Sequence, residues 1–401
     1  MNAKIKAFAL RKARKIMSGH FETRCIHGDP VRSLKDENRA ISFPIYQTAS
    51  FSHIKTGHNE SGFDYTRESN PTRQRLEEIV SSLEYAAGTT AFSSGMAAIS
   101  ACFEFFSPGD HIICSEDLYG GVIRLHDLIS KKNDLEIDYI DTTDPENIRR
   151  EIKPNTKAIY VETPSNPMMS ITDLRGCASV AHAHDLLLIV DNTFLSPYFQ
   201  NPLKLGADIV VHSGTKFLSG HNDTVAGFAS AKERTLADKI RLISKTTGGV
   251  LAPFDCWLIM RGIKTLAIRM ERQQENAENI VTWLLGQPQV KKVFYPGLED
   301  HPGYAVNRSQ TSGSGSMISF RVDSKETALR ILQKVKIVTF AESLGGTESL
   351  LTYPALQTHT DVSQDMREHL GITDTLLRLS VGLENADDII LDLKQALENE
   401  I

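Results

Sequence analysis

The chain has 401 residues, 44 of them lysine or arginine and 50 aspartate or glutamate, so its formal net charge is −6. Hydrophobic residues make up 41% and charged residues 23%, which excludes a mostly disordered chain. The acidic balance argues against nucleic-acid binding through overall charge, and no apolar run approaches the roughly 20 residues of a membrane span. Five scattered cysteines without a C-x-x-C pair indicate neither disulfides nor a metal site, so we expect a cytoplasmic, metal-free protein.

The two ends of the chain differ from its middle. Residues 1–17 carry six lysines and arginines and no acid, a composition typical of transit peptides. A disordered tail, or a start at Met17, explains the same residues more simply, and we favour these explanations. The length indicates two or three domains. We expect an N-terminal extension and arm over residues 1–64, a ligand-binding domain over residues 65–255 and a C-terminal domain over residues 256–401.

Five apolar runs in the middle of the chain predict the strands of a buried sheet. They are rich in Ile, Val and Leu on both faces, as strands covered by helices on both sides should be. Segments long enough for crossover helices separate them, which predicts an α/β fold with a parallel or mixed sheet. Ligands of such folds bind beyond the carboxyl ends of the strands. The runs are His111–Ser115, Leu135–Ile140, Lys157–Glu162, Leu186–Asp191 and Asp208–Ser213.

After Pro253 the pattern of the chain changes. Residues 256–285 predict one long amphipathic helix that ends near Gly286. Two short strands and a C-terminal helix from about residue 387 follow; the strands are Met317–Val322 and Leu376–Ser380. These elements predict a smaller α+β domain.

Three groups of polar residues follow predicted strands and can carry chemistry. The turn Ser93–Met96 opens an apolar helix, and a helix N-terminus made of small residues can bind phosphate, although capping alone also explains it. Asp191 ends a very apolar run, so its carboxylate needs either a turn to cap or a cationic ligand. Ser213, Thr215 and Lys216 follow another strand. The hydroxyls suit phosphate, and a partly buried lysine becomes a nucleophilic amine.

Together these groups match the needs of one cofactor. Pyridoxal 5'-phosphate (PLP) requires a lysine that reacts with its aldehyde, a phosphate cradle and a carboxylate that faces its ring nitrogen. That carboxylate keeps the nitrogen protonated, so that the ring can accept electrons from the substrate Cα. All three groups occur in this sequence, each after a predicted strand. A shared PLP site therefore explains them better than unrelated local roles such as helix or turn capping.

Several long motifs extend this match to a known family. The stretch Asp191–His221 (DNTFLSPYFQNPLKLGADIVVHSGTKFLSGH) resembles the signature of the trans-sulfuration, or Cys/Met-metabolism, family of PLP enzymes. The resemblance covers about residues 21–398 and implies a fold-type-I PLP-dependent transferase. That fold has a mostly parallel central sheet with helices on both faces and a smaller C-terminal α+β domain. Further matching stretches are Phe63–Thr72, Phe92–Ala97, Leu118–Gly121, Glu162–Pro167, Ala341–Ser349 and Arg378–Gly382.

The resemblance implies a role for each matching residue. Lys216 resembles the Schiff-base lysine that also moves protons, and Asp191 resembles the partner of the pyridinium nitrogen. Tyr119 resembles the tyrosine that stacks on the cofactor ring and takes part in proton transfer. Asn166 resembles the asparagine near the ring hydroxyl. The matching phosphate cradle is Gly95, Met96, Ser213 and Thr215, and the matching binders of the substrate carboxylate are Ser343 and Arg378.

The resemblance also implies a homotetramer built from two dimers. Tyr65 and Arg67 resemble a pair that reaches the cofactor phosphate of the neighbouring subunit, so a monomer should be inactive. Asp64, Arg124 and Glu342 match the charged substrate pocket of cystathionine γ-synthases and γ-lyases. In those enzymes the glutamate can face the distal amino group of cystathionine.

The motifs leave the reaction open. Gly120 stands where methionine γ-lyases carry cysteine, which argues against that activity. Leu350–His359 and His301–Gly303 resemble bacterial enzymes labelled β-lyase as well as γ-synthase. We favour a cystathionine C–S lyase that releases cysteine or homocysteine, a 2-oxo acid and ammonia. The alternative is γ-replacement on an acylhomoserine, and a remote one is transamination, because aminotransferases share the fold.

Overall fold

The described part of the chain contains two β-sheets with helices packed around them. A computed structural model describes residues 19–29, 34–56, 61–360 and 362–398, so the basic segment 1–17 lies outside it. No helix among these residues is both long and apolar enough to cross a membrane.

The first sheet has seven strands and is mostly parallel. Its spatial order is β1-β7-β6-β5-β4-β2-β3; β6, β5, β4, β2 and β3 are parallel, whereas β1 and β7 pair antiparallel. All five predicted strands are confirmed to within one residue at each end, and β7 was not predicted. The strands are β1 Gly88–Phe92, β2 His111–Ser115, β3 Glu136–Ile140, β4 Thr156–Glu162, β5 Leu187–Asp191, β6 Ile209–Ser213 and β7 Gly227–Ala231.

Helices cover both faces of this sheet. Several begin where a side chain caps the free backbone N–H groups: Asn70, Ser94 and Asp173 each accept such a bond. The helices are α1 Phe21–His27, α2 Pro71–Glu84, α3 Gly95–Phe103, α4 Gly120–Leu125 with a π-helical turn at His126–Ser130, α5 Pro145–Glu151, α6 Leu174–Ala183, α7 Ser196–Phe199, α8 Pro202–Leu205 and α9 Arg234–Thr247.

The second sheet has five strands in the order β10-β11-β12-β9-β8. It confirms the smaller C-terminal α+β unit. Its strands are β8 Val290–Phe294, β9 Met317–Val322, β10 Thr339–Phe340, β11 Leu350–Thr352 and β12 Leu376–Ser380. The accompanying helices are α10 Pro253–Ile263, α11 Leu266–Leu285, α12 Tyr304–Gln310, α13 Lys325–Lys334, a 3-10 turn at Pro354–Leu356, α14 Gln364–Leu370 and α15 Ala386–Leu397.

Alternating side chains hold the first sheet between its two helix layers. Tyr160 and Ile189 pack in the cluster that contains α3, whereas Ile159 and Val190 pack in the cluster that contains α6. All four side chains are fully buried. This two-sided burial explains the near-continuous apolar runs. Because β3, β2, β4, β5 and β6 are parallel, their carboxyl ends meet at one edge.

The prediction of one long helix over residues 256–285 is wrong, because α10 ends at Ile263 and α11 begins at Leu266. Arg269 stabilises the break. Its Nη2 donates to the carbonyl of Gly262 at 3.0 Å, and its Nη1 donates to the carbonyl of Phe217 at 2.8 Å. The helical periodicity of the apolar residues continues across residues 264 and 265, so the sequence pattern did not indicate the break.

All five cysteines are buried, and Cys102 and Cys114 lie in the core. Burial raises the pKa of the Cys25 thiol to about 12. The thiol is therefore held in its unreactive neutral form.

Gly262 provides a test of how tightly α10 packs. A Cβ at this position would lie 2.1 Å from the carbonyl oxygen of Ser219, three residues after Lys216. We expect Gly262→Ala to destabilise the protein by about 1–3 kcal/mol, as overpacking usually does. Gly286→Ala is the matched control, because the nearest atom to its added Cβ is 3.5 Å away. Chemical denaturation measures both variants; equal unfolding midpoints would contradict the close packing.

Candidate active site

The predicted chemistry-bearing residues do meet at the carboxyl edge of the first sheet. Glu162 ends β4 and pairs in register with Asp191, the last residue of β5. Ser213 ends β6, and the backbone then turns, with Lys216 one turn further along. The Ser213 N–H donates to the Thr193 hydroxyl oxygen at 2.9 Å, which ties the ends of β5 and β6 together.

Lys216 has an amine of unusually low basicity. Its Nζ donates to the Ser343 hydroxyl oxygen at 2.8 Å, across 127 residues of sequence. Burial, and after it the Arg378 cation, lower the pKa of Lys216 to about 8, against the opposing charge of Glu342. A substantial fraction of the amine is therefore neutral near physiological pH, as a nucleophile requires.

Asp191 and Glu162 form a pair of buried carboxyl groups. The N–H and hydroxyl of Thr193 donate to Asp191 Oδ1 at 2.9 and 2.6 Å, and Tyr160 donates to Oδ2 at 3.5 Å. Burial raises the pKa of both carboxyls, and the like charge of Asp191 raises the pKa of Glu162 further. Two such groups are costly to ionise together, so a cationic ligand at this edge would stabilise them.

The N-terminus of α3 faces the same edge. Gly95 packs so closely on Ser213 that an added Cβ would lie 3.3 Å from its Oγ. At the start of α4, a Cβ at Gly121 would lie 2.5 Å from the Tyr119 ring and 3.2 Å from Met96 Sδ. Backbone N–H groups, small residues and hydroxyls therefore converge where an anion could bind.

Thr215 completes the loop after β6. Its hydroxyl accepts from the Ala226 N–H at 3.0 Å and lies 3.3 Å from the Ala226 carbonyl. These bonds hold the loop that carries Ser213 and Lys216 against the residues before β7. The predicted cradle is thus placed around one helix end.

Arg378 is fully buried beneath these groups. Its Nη1 donates to Asn166 Oδ1 at 2.7 Å, and its Nη2 donates to the Ser343 carbonyl and the Thr352 hydroxyl, each at 3.1 Å. Burial lowers the pKa of Arg378 to about 10, and Glu342 opposes this. Within the described residues its Nε is buried without a hydrogen-bond partner, so the guanidinium retains one donor for an anionic ligand.

Besides Glu342, four predicted site residues are exposed. Tyr65 is 43% exposed, and the Arg67 guanidinium lies 5.5 Å from its ring centroid. Arg67 also donates to the Lys245 carbonyl, near the end of α9. The remaining two are Asp64, which binds His53 at 2.8 Å, and Arg124 on the exposed face of α4.

Sequence reasoning missed Glu162 as a site residue. Its Oε2 accepts from the Tyr119 N–H at 3.1 Å, so it holds the residue predicted to stack on the cofactor. The sequence did contain a signal for Glu162: like Asp191, it is an acidic residue at the end of an apolar strand. Glu342 is exposed, and its charge acts on both Lys216 and Arg378.

The arrangement fits PLP group by group. The weakly basic Lys216 amine suits its aldehyde, the buried Asp191 suits its protonated ring nitrogen, and the N-terminus of α3 suits its phosphate. The unpaired Nε of Arg378 suits the carboxylate of an amino-acid substrate. The family model "Cys/Met metabolism PLP-dependent enzyme" matches residues 22–398. The chain belongs to this family.

Similar proteins in this family are named for different reactions. The chain is 46% identical to the cystathionine gamma-lyase of Bacillus subtilis, covering 94% of this chain and 99% of that protein. It is 44% identical to a Lactococcus lactis cystathionine beta-lyase, again over 94% and 99%. A crystal structure of Xanthomonas oryzae cystathionine gamma synthase superposes with a TM-score of 0.91 at 38% identity, covering 94% and 98%. The protein is therefore a PLP-dependent trans-sulfuration enzyme, and the predicted fold and cofactor are confirmed.

The lowered pKa of Lys216 can be measured in protein freed of cofactor. We expect the rate of reductive methylation of Lys216, followed by mass spectrometry, to rise with pH around a midpoint near 8 instead of the ordinary 10.5. Because the charge of Glu342 raises this pKa, Glu342→Gln should move the midpoint to lower pH. Glu348→Gln is the matched control, since it removes an exposed charge six residues away. A wild-type midpoint near 10.5 would contradict the buried environment.

Proposed function

We propose that this enzyme is a cystathionine C–S lyase. The observation that carries the proposal is the exposed Glu342 carboxylate, which interacts electrostatically with Lys216 and Arg378. A carboxylate at the open side of the site can bind the distal ammonium of cystathionine. Methionine and simple thioethers lack that ammonium. The glycine at position 120 agrees, because methionine γ-lyases carry cysteine there.

The chain's own residues would hold the cofactor and the substrate. Asp191 would pair with the ring nitrogen, Tyr119 would stack on the ring, and Asn166 would lie near the ring hydroxyl. The phosphate would bind the cradle of Gly95, Met96, Ser213 and Thr215. When bound, PLP stabilises negative charge on the substrate Cα.

The amino-acid substrate would be oriented by its carboxylate. Arg378 offers a free Nε–H and Ser343 a hydroxyl, and both lie beside the Lys216 amine. Neutral Lys216 would then take the proton from Cα and return protons to the departing fragments. γ-Elimination needs a second proton to be removed at Cβ, and the same amine can remove it.

γ-Replacement is the second candidate. The likeness to a γ-synthase structure supports it, because the same residues can add a thiol at Cγ after the same proton transfers. The distinction depends on which substrate enters first, cystathionine or an acylhomoserine.

Product analysis with L-cystathionine and added PLP tests the proposal. We expect cysteine and 2-oxobutyrate, because Glu342 favours γ-elimination. Homocysteine and pyruvate would still show a lyase but would contradict the role given to Glu342. If the yellow holoenzyme leaves cystathionine intact, the lyase proposal fails, and an acylhomoserine with cysteine tests γ-replacement.

Lys216→Ala should abolish turnover, whereas the exposed control Lys232→Ala should not.

We also propose that two chains share each active site within a homotetramer. Support comes from Tyr65 and Arg67, which are exposed here although their motif positions match phosphate binders. Lys216→Ala and Arg67→Ala should then each be inactive. Refolding them together in equal amounts should restore about a quarter of wild-type activity, because half of the dimers contain one complete site of two. No recovery in mixed dimers, whose formation is checked by mass spectrometry, would contradict site sharing.

A further inference from the structure

His359 is a buried histidine that the proposed mechanism does not use. It follows the 3-10 turn after β11, and its side chain has no exposure to solvent. Its Nε2 lies 3.0 Å from the backbone carbonyl oxygen of Asn166, and its Nδ1 lies 2.8 Å from the Thr358 hydroxyl. Since a carbonyl can only accept, the proton is on Nε2, and Nδ1 accepts from the hydroxyl.

The imidazole contacts the backbone of two site loops at once. Asn166, whose carbonyl it holds, accepts from Arg378 through its side chain at 2.7 Å. The Leu118 carbonyl, next to Tyr119 in sequence, also interacts with the ring. The residue before His359 packs against the same loop, because a Cβ on Gly120 would lie 2.4 Å from the Thr358 carbonyl oxygen. Residues 358 and 359 therefore connect the loops after β2 and β4.

The chemistry of this position favours a neutral side chain. Burial lowers the pKa of His359 to about 4, and the Arg378 cation lowers it as well. A lysine or arginine here would place a second positive charge beside Arg378 in a dry environment. A neutral imidazole donates one hydrogen bond and accepts another without adding charge.

We propose that His359 is a positioning residue whose Nε2–H bond to the Asn166 carbonyl orients Asn166, and through it Arg378, relative to Tyr119. It contacts neither substrate nor cofactor. The inference rests on the proposed function only for its kinetic readout. A loss of this bond would allow the loops after β2 and β4 to move apart, and displacements of about 1 Å at such sites can reduce rates about 100-fold.

The test compares His359→Leu with His359→Gln in the holoenzyme. Leucine removes both hydrogen bonds, so kcat/KM should fall about 10- to 100-fold. The visible circular dichroism of the bound cofactor should also change, because Tyr119 and Asn166 lie against it in the proposed arrangement. Glutamine keeps an N–H donor and an acceptor, and it should recover most of both signals.

His111→Leu is the matched control, because it removes the two hydrogen bonds of another buried histidine. His111 is equally buried and bonds to Thr156 and Asp138 at 2.8 and 3.0 Å, but it begins β2 at the opposite end of the strand from the site. We expect this variant to lower the thermal unfolding midpoint while the dichroism and kcat/KM stay at wild-type values.

Two results would overturn the proposal: wild-type kinetics and dichroism in His359→Leu, or equal impairment of the leucine and glutamine variants. If His359→Leu does not fold, Thr358→Val removes only the hydroxyl that holds Nδ1. It should then shift the dichroism and reduce kcat/KM several-fold, and no change would again refute positioning. Because dichroism needs no turnover, failure of the proposed reaction would leave this test intact.

Discussion

The placement of four ionisable groups at one dry sheet edge is the constraint on which this structure depends. Glu162 and Asp191 are buried side by side, and Arg378 is buried close to them. Lys216 is held near the same guanidinium, which lowers the pKa of its amine. In a low-dielectric environment these charges must compensate one another or be neutralised, the carboxylates by gaining a proton and the cations by losing one. The same interactions that make the edge costly to fold therefore make its lysine reactive and its carboxyls receptive to a cation.

Both sheets are needed to build this edge. The first supplies Asp191, Ser213 and Lys216 at the carboxyl ends of its strands. The second supplies Arg378 on β12, and the segment before β11 supplies Ser343. Arg378 hydrogen-bonds across 212 residues to Asn166, so the site forms only when the two sheets are packed together. Arg269 and Gly262 secure that packing next to the loop of Lys216.

Several of the proposed site residues are exposed. Tyr65 and Arg67, which match phosphate binders of the family, lie at the surface, where Arg67 contacts Lys245 and Gly248. Glu342 is exposed as well, at the open side of the Lys216 cluster. Under the proposed function, the buried edge would carry the shared chemistry and exposed residues such as Glu342 would select the substrate, in agreement with relatives that combine one cofactor with several reactions.

The sequence by itself determined the elements with a local signal. Apolar runs and their periodicity predicted the five parallel strands. Polar residues at or just after the ends of these strands indicated Asp191, Ser213 and Lys216. Both signals lie in residues that are close together in sequence, so they can be read without the tertiary structure. Only the tertiary structure decided the break between α10 and α11, the bond from Glu162 to Tyr119, and the contacts of Arg378 and His359 with Asn166. These depend on side chains that are about 40 to 200 residues apart and meet only once the sheets pack, and no periodicity in a single chain records such distances.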